Sequence, residues 1–200
     1  MARGRAANYD DQREMILAQA AALFAQRGYP ATSMNAVALA CGLSKATLYH
    51  YYRDKYALLV SIAEGHVGKL LVLVQDVLAA GLPPEQRLRT LIRRIVLEYA
   101  GARDAHRVLT EDVRFLEPTD RERILDQERA VVQGFARAVA GLRPELAQAQ
   151  LATPMTMLLF GMINWMFTWL QPGGTLDYDT LAPMVADLFL GGLPAVKTDA

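Results

Sequence analysis

The sequence predicts an all-α protein. Apolar residues recur at three- and four-residue spacing almost throughout, no stretch of useful length alternates between apolar and polar, and glycine or proline interrupts the pattern at intervals suited to helix ends. A chain of 200 residues with 52% hydrophobic and 21% charged residues can bury enough surface to offset its ordering entropy, which excludes intrinsic disorder. The length suits one domain or two small ones.

About nine helices are expected. The first carries Ile16, Ala20, Leu23 and Phe24, with Asp11 and Glu14 as its N-terminal capping pattern and Gly28 as its stop. Thr32 or Ser33 caps a second, short helix with Val37 and Cys41 on one side, ending at Gly42. Ser44 caps a third through about Tyr52, where Leu48 and Tyr52 share a face. Asp54 caps a long fourth helix with Leu58, Leu59, Ile62, Val67, Leu70, Leu71, Val74 and Leu78, running almost to Gly81 before Pro83 and Pro84. Further helices are expected at 85–101, 104–116, 119–141, 145–171 and 177–191, separated by Gly101, Pro118, Gly141 with Pro144, and Pro172-Gly173-Gly174. Pro154 either sits in the first turn of the 145–171 region or splits it, the apolar helix then starting at Thr153. The division that follows is a three-helix head, residues 1–54, on a larger helical body, residues 55–200.

Composition narrows the function. One cysteine, Cys41, forms no internal disulfide and no CxxC pair, and the N-terminus lacks the apolar stretch of a signal peptide, so the cytoplasm, with association to the bacterial nucleoid, is the expected location. Met155–Leu170 is the one membrane candidate, but at 16 residues it is short of a span and reads as a buried or interface helix. No membrane partner is expected. The formal charge is zero, yet residues 1–55 hold seven Lys/Arg against four acids, a net of +3, while the remainder is at −3. A basic head on an acidic body is what a polyanion met at one end calls for.

The chemistry concentrates in residues 33–52. Two short helices joined by Gly42-Leu43-Ser44 have the size of a helix-turn-helix, whose second helix enters the major groove of DNA. With Leu48 and Tyr52 inward, Ala46 and His50 point outward and Lys45, Thr47, Tyr49 and Tyr51 flank them. Lys45 and His50 can donate to guanine N7, Ala46 or the Thr47 methyl can touch a thymine methyl, and the tyrosine hydroxyls can reach phosphate. Thr32, Ser33, Ser44 and Lys55 stand at helix N-termini, where phosphates bind, and Asn35 can reach adenine or the backbone. A surface hairpin of an ordinary helical protein fits the same spacing.

Thr32-Ser33-Met34, Val37 through Tyr52, and Asp54-Lys55-Tyr56-Ala57-Leu58-Leu59 resemble the signature of TetR/AcrR-family transcriptional repressors. The resemblance covers about residues 10–60, with Cys41 in place of the usual small residue and Tyr52 where phenylalanine is commoner. It implies a symmetric homodimer that reads a palindromic operator in double-stranded DNA through Thr32, Ser33, Asn35, Ser44 to Tyr51 and Lys55, and a body that binds a small-molecule effector. It implies no catalysis and no cofactor or metal.

In that family the last two helices form the dimer interface, which here points to Trp165, Trp169, Met184 and Leu188. The run from Phe160 to Gly174 is similar to regulators that respond to acyl-CoA thioesters. An effector of that kind would find apolar walls in Tyr99, Phe115, Phe135 and Phe160, polar groups in Asn164 and Thr168, and phosphate partners in Arg103, Arg107 or Arg114. Those arginines equally suit a solvated face paired with Asp104, Glu111 and Asp112.

Two rivals need weighing. An acyl-CoA-acting enzyme would need a catalytic constellation, and the sequence has no GxSxG, GxxxxGK[ST] or HExxH, with His50, His66 and His106 far apart and the latter two expected at the surface or in the core. A helical module docking a partner through Met155–Leu170, without DNA binding, is the other.

Overall fold

The computed structural model describes the backbone of residues 2–170 and 174–197, with side chains from Tyr9 onward. Pro172 and Gly173, part of the expected break before the last helix, lie outside the described residues. The helices are α1 (Ala2–Arg27), α2 (Met34–Ala40), α3 (Lys45–Tyr51), α4 (Lys55–Ala79), α5 (Pro84–Gly101), α6 (Arg103–Glu111), α7 (Pro118–Leu142), α8 (Pro144–Gln148), α9 (Ala152–Ile163), α10 (Met166–Trp169) and α11 (Tyr178–Gly192). Short 3₁₀ turns follow α6 and α11, and no strand occurs among the described residues.

Three boundaries differ from expectation. Helix α1 starts at Ala2, so Asp11 and Glu14 lie mid-helix and cap nothing; Ala2, Ala6 and Ala7 favour helix and nothing between them and Asp11 stops it. The 145–171 region is split into α8, α9 and α10, with Pro154 in the first turn of α9, where its missing N–H costs no hydrogen bond. Gln150 adopts φ 58° at the first of these breaks. Helix α6 stops at Glu111, and Val113–Phe115 forms a 3₁₀ turn instead of its last turn.

The chain forms two compact units, Met1–His66 with Ala102–Ile124, and Val67–Gly101 with Leu125–Ala200. The division into compact units passes within α4, and residues 102–124 group with the three-helix head. In the first unit Ile16, Phe24, Val37, Leu48, Leu58 and Leu59 form the core and α6 packs on α1. Tyr56 Oη donates to Asp120 Oδ2 at 2.7 Å and accepts from the Glu117 N–H at 3.0 Å, while Arg123 bridges Glu64 and Asp120. These bonds fasten the start of α4 to the start of α7.

In the second unit Leu91, Ile92 and Ile95 of α5, with Ala182 and Phe189 of α11, are buried, and these two helices pack together. Helix α7 approaches α4 at Gly134, where a Cβ would collide with Val74 Cγ1. Among the described residues it is α4, 25 residues long, and not the Met155–Leu170 stretch, whose length and hydropathy would allow a membrane crossing. Half of its apolar window is buried, as in the core helix of a globular protein.

Candidate nucleic-acid interface

Helices of seven residues do not hold in water by propensity alone, so α2 and α3 depend on their ends and on a few buried contacts. Ser33 caps α2, its Oγ accepting from the Ala36 N–H at 3.2 Å. Ser44 caps α3, accepting from the Thr47 N–H at 3.0 Å and meeting Thr47 Oγ1 at 2.8 Å. Each such cap contributes about 1 kcal/mol. Between them Gly42 adopts φ +64°, and the Leu43 N–H donates to the Ala38 carbonyl at 2.9 Å, closing α2. Leu48 is fully buried and Tyr52 nearly so, which fixes the rotation of α3.

That rotation leaves Lys45, Ala46, Thr47, Tyr49 and His50 exposed and Tyr51 half-buried, with Asn35 and Ser33 also at the surface. Lys45 Nζ lies 5.8 Å from the centre of the Tyr49 ring. The face carries no carboxylate.

Two expected contacts sit elsewhere. Thr32 is only 2% exposed, and its hydroxyl donates toward the carbonyls of Gly28 and Leu23 at 3.0 and 3.3 Å. It seals the end of α1 and presents no side chain to a phosphate; Ser33 is the cap. Lys55 donates to the Tyr29 and Pro30 carbonyls at 2.7 and 3.2 Å, over the Tyr29 ring at 4.3 Å, so its ammonium holds the turn after α1.

The residues expected around an effector divide. Tyr99, Phe135, Phe160, Asn164 and Thr168 belong to the second unit, whereas Arg103, Arg107, Arg114 and Phe115 belong to the first. Tyr99 is buried and its hydroxyl donates to Asn164 Oδ1 at 3.0 Å, and the Phe135 and Phe160 rings meet at 5.1 Å. Burial pushes the Tyr99 hydroxyl far above its ordinary range, with the nearby Glu128 carboxylate adding to it. Phe115 lies instead against Tyr29 at 5.4 Å, with the Arg114 guanidinium over its ring. Arg107 pairs with Glu111 at 3.1 Å in solvent, and Thr168 turns its hydroxyl back to the Trp165 carbonyl. A cleft of about 370 Å³ in the second unit, bordered by Glu85, Arg89, Arg143, Asp187 and Leu190, involves none of these nine residues. Arg89 is held there by Glu85 and Asp187.

The expected interface residues are all open to water: Trp165 at 56%, Trp169 at 53%, Met184 at 53% and Leu188 at 68%. Sequence reasoning missed Glu128, whose carboxyl is raised above the usual range by desolvation, and which shows as an ordinary helical glutamate in the sequence. It also missed Tyr9, stacked on Tyr51 at 4.8 Å, and Arg13, which reaches Tyr52. His66 and His106, 40 positions apart, are both buried and share a hydrogen bond of 3.3 Å. No group of three or more His, Cys, Asp or Glu able to hold a metal occurs among the described residues.

Two capped helices around a glycine turn, the second offering a polar and aromatic face from an all-helical chain, define a helix-turn-helix DNA-binding protein. Residues 16–62 match the model for bacterial regulatory proteins of the tetR family, and residues 81–193 match the tetracyclin repressor-like C-terminal domain. The chain belongs to the TetR family and is a transcriptional regulator, not an enzyme. It is similar to a TetR-family regulator from Bordetella parapertussis of known structure, with 35% identity, coverage of 92% of this chain and 97% of that one, and a TM-score of 0.84. It is 24% identical over 185 residues to the HTH-type transcriptional repressor KstR2 of Rhodococcus jostii, covering 91% of both. The structure of AibR in complex with isovaleryl coenzyme A and operator DNA is 26% identical, with a TM-score of 0.75 over 88% of this chain and 97% of that one.

Proposed function

We propose that this protein is a repressor that binds a palindromic operator as a homodimer and is released by an acyl-CoA thioester. The observation that carries the DNA reading is the exposed, carboxylate-free face of α3, held at its start by Ser44 and in rotation by Leu48. Residues 1–54 then act as the reader and 55–200 carry the effector and dimer functions. Lys45 and His50 donate to acceptors on base edges, Ala46 and the Thr47 methyl meet thymine methyls, and Tyr49 and Tyr51 reach phosphates. Ser33 and Asn35 approach the backbone from α2. Two copies of α3 must stand about 34 Å apart to enter successive major grooves, and a ligand that favours another spacing releases the DNA.

The exposed Trp165, Trp169, Met184 and Leu188 support dimerisation through the last helices, since each is a large apolar side chain more than half open to water. The thioester reading is supported by AibR, solved with isovaleryl coenzyme A and DNA, and by two features of the second unit, the buried Tyr99 hydroxyl bonded to half-buried Asn164 and the Phe135–Phe160 ring contact. The repressor reading is supported by relatives so named.

Selection of genomic fragments, followed by titration of the recovered duplex with and without isovaleryl-CoA and longer acyl-CoA thioesters, tests this. An enriched palindrome bound in a salt-dependent manner, with affinity lowered at least tenfold by one thioester, is the expected result. Absence of an enriched site would favour the partner-docking module, and a site insensitive to every thioester would remove the effector class while leaving the DNA reading intact.

A further inference from the structure

Ser44 secures only the start of α3, whereas His50 and Tyr51 stand at its other end, where a seven-residue helix frays most readily. That end is gripped from outside the helix-turn-helix. The Tyr9 ring stacks on Tyr51 with centroids 4.8 Å apart and planes at 27°, and Tyr51 meets His50 edge-on at 5.7 Å and 81°. One turn further along α1, Arg13 Nε donates to Tyr52 Oη at 3.4 Å, with its guanidinium 5.4 Å from the ring centre. The hydroxyl at position 52, absent from the phenylalanine commoner there in the family, is thus the atom that Arg13 engages. Both contacts originate in the part of α1 around Tyr9 to Arg13.

We propose that Tyr9 is a positioning residue for base recognition: stacked on Tyr51, it fixes the end of α3 and through Tyr51 the orientation of His50. The inference rests on the reading that His50 meets base edges. An exposed imidazole bounded on one side by a fixed ring loses part of its rotamer freedom before DNA arrives, so less is lost on binding. An aromatic pair of this geometry is worth about a 2- to 10-fold effect in an equilibrium.

The test is a matrix of single-base operator variants titrated with the full-length wild type, Tyr9→Phe, Tyr9→Ala and His50→Ala. The operator is the duplex recovered by genomic selection, and an unrelated duplex and a melting curve accompany each protein. The expected result is that Tyr9→Ala relaxes discrimination about 2- to 10-fold at the same base pair that His50→Ala relaxes. Affinity of the alanine variant for unrelated duplex falls by less than that, and Tyr9→Phe, which keeps the ring, retains discrimination. Tyr9→Leu, bulky but unable to stack, gives the same answer should the alanine variant fail to fold. If the phenylalanine and alanine variants lose affinity equally on every sequence, Tyr9 is a phosphate contact through its hydroxyl and the inference is overturned. It is also overturned if His50→Ala relaxes discrimination while Tyr9→Ala and Tyr9→Leu do not. A His50→Ala protein with wild-type discrimination overturns the reading of His50 itself, and the positioning role with it.

Discussion

Helix α3 turns Lys45, Thr47, Tyr49 and His50 to water, whereas the stretch from α9 to α11 turns out Trp165, Trp169, Met184 and Leu188. Both leave helical side chains uncovered, but the first set can exchange hydrogen bonds with solvent and the second is almost wholly apolar. A polar, aromatic face is at no great disadvantage alone and can wait for an intermittent partner. An apolar one is sustained only if something covers it most of the time. The two faces thus separate the proposed operator contact from the proposed contact with a second copy, and each substitution below acts on one of them or on neither.

The largest effect is expected at the apolar face. Leu188→Asp removes little from the single chain, since the residue is 68% exposed, and should weaken self-association by about 2–4 kcal/mol in analytical ultracentrifugation. An unchanged association constant would show that this face is not the seam. Next comes a change touching neither face: Gly134→Ala drives a methyl into Val74 at the α4–α7 crossing and should cost about 1–3 kcal/mol in chemical denaturation. Lys45→Ala should weaken operator binding by about 1–2 kcal/mol in fluorescence anisotropy while sedimentation stays that of wild type, which separates the two faces directly.

The smallest concerns Glu128. Its carboxyl pKa is raised by burial, so the folded state favours the neutral form. That contribution is fully present below the unfolded value of about 4.3 and is lost as pH rises through the folded pKa. Glu128→Gln should therefore melt a few degrees higher than wild type at pH 7, with the gain absent at pH 4. A gain persisting at pH 4 would assign it to packing.

How much of this was readable in advance depends on range. The ends of α2, the start of α3 and the start of α4 follow from Ser33, Gly42, Ser44 and Asp54, all of which act within four residues and so leave a mark in the sequence. Asp11 and Glu14 mimic such a mark in mid-helix, because the pattern is permissive and does not itself start a helix. Thr32 and Ser33 are adjacent hydroxyls, and only the approach of the Leu23 and Gly28 carbonyls separates a seal from a cap. Residue type alone points to the effector residues, and type does not reveal that Phe115 joins Tyr29 while Phe135 joins Phe160. The same holds for Tyr9 on Tyr51 and His66 on His106, 42 and 40 positions apart, where no local periodicity connects the partners.

The ammonium of Lys55, bound to two backbone carbonyls and capped by the Tyr29 ring, bears on how this protein would be titrated against its polyanion. Counterions leave a duplex only where a cation replaces them at the phosphates. If Lys55 keeps these carbonyls when a duplex binds, the logarithmic slope of affinity against ionic strength falls short, by close to one ion for each half-site, of a tally that counted every lysine and arginine near the groove.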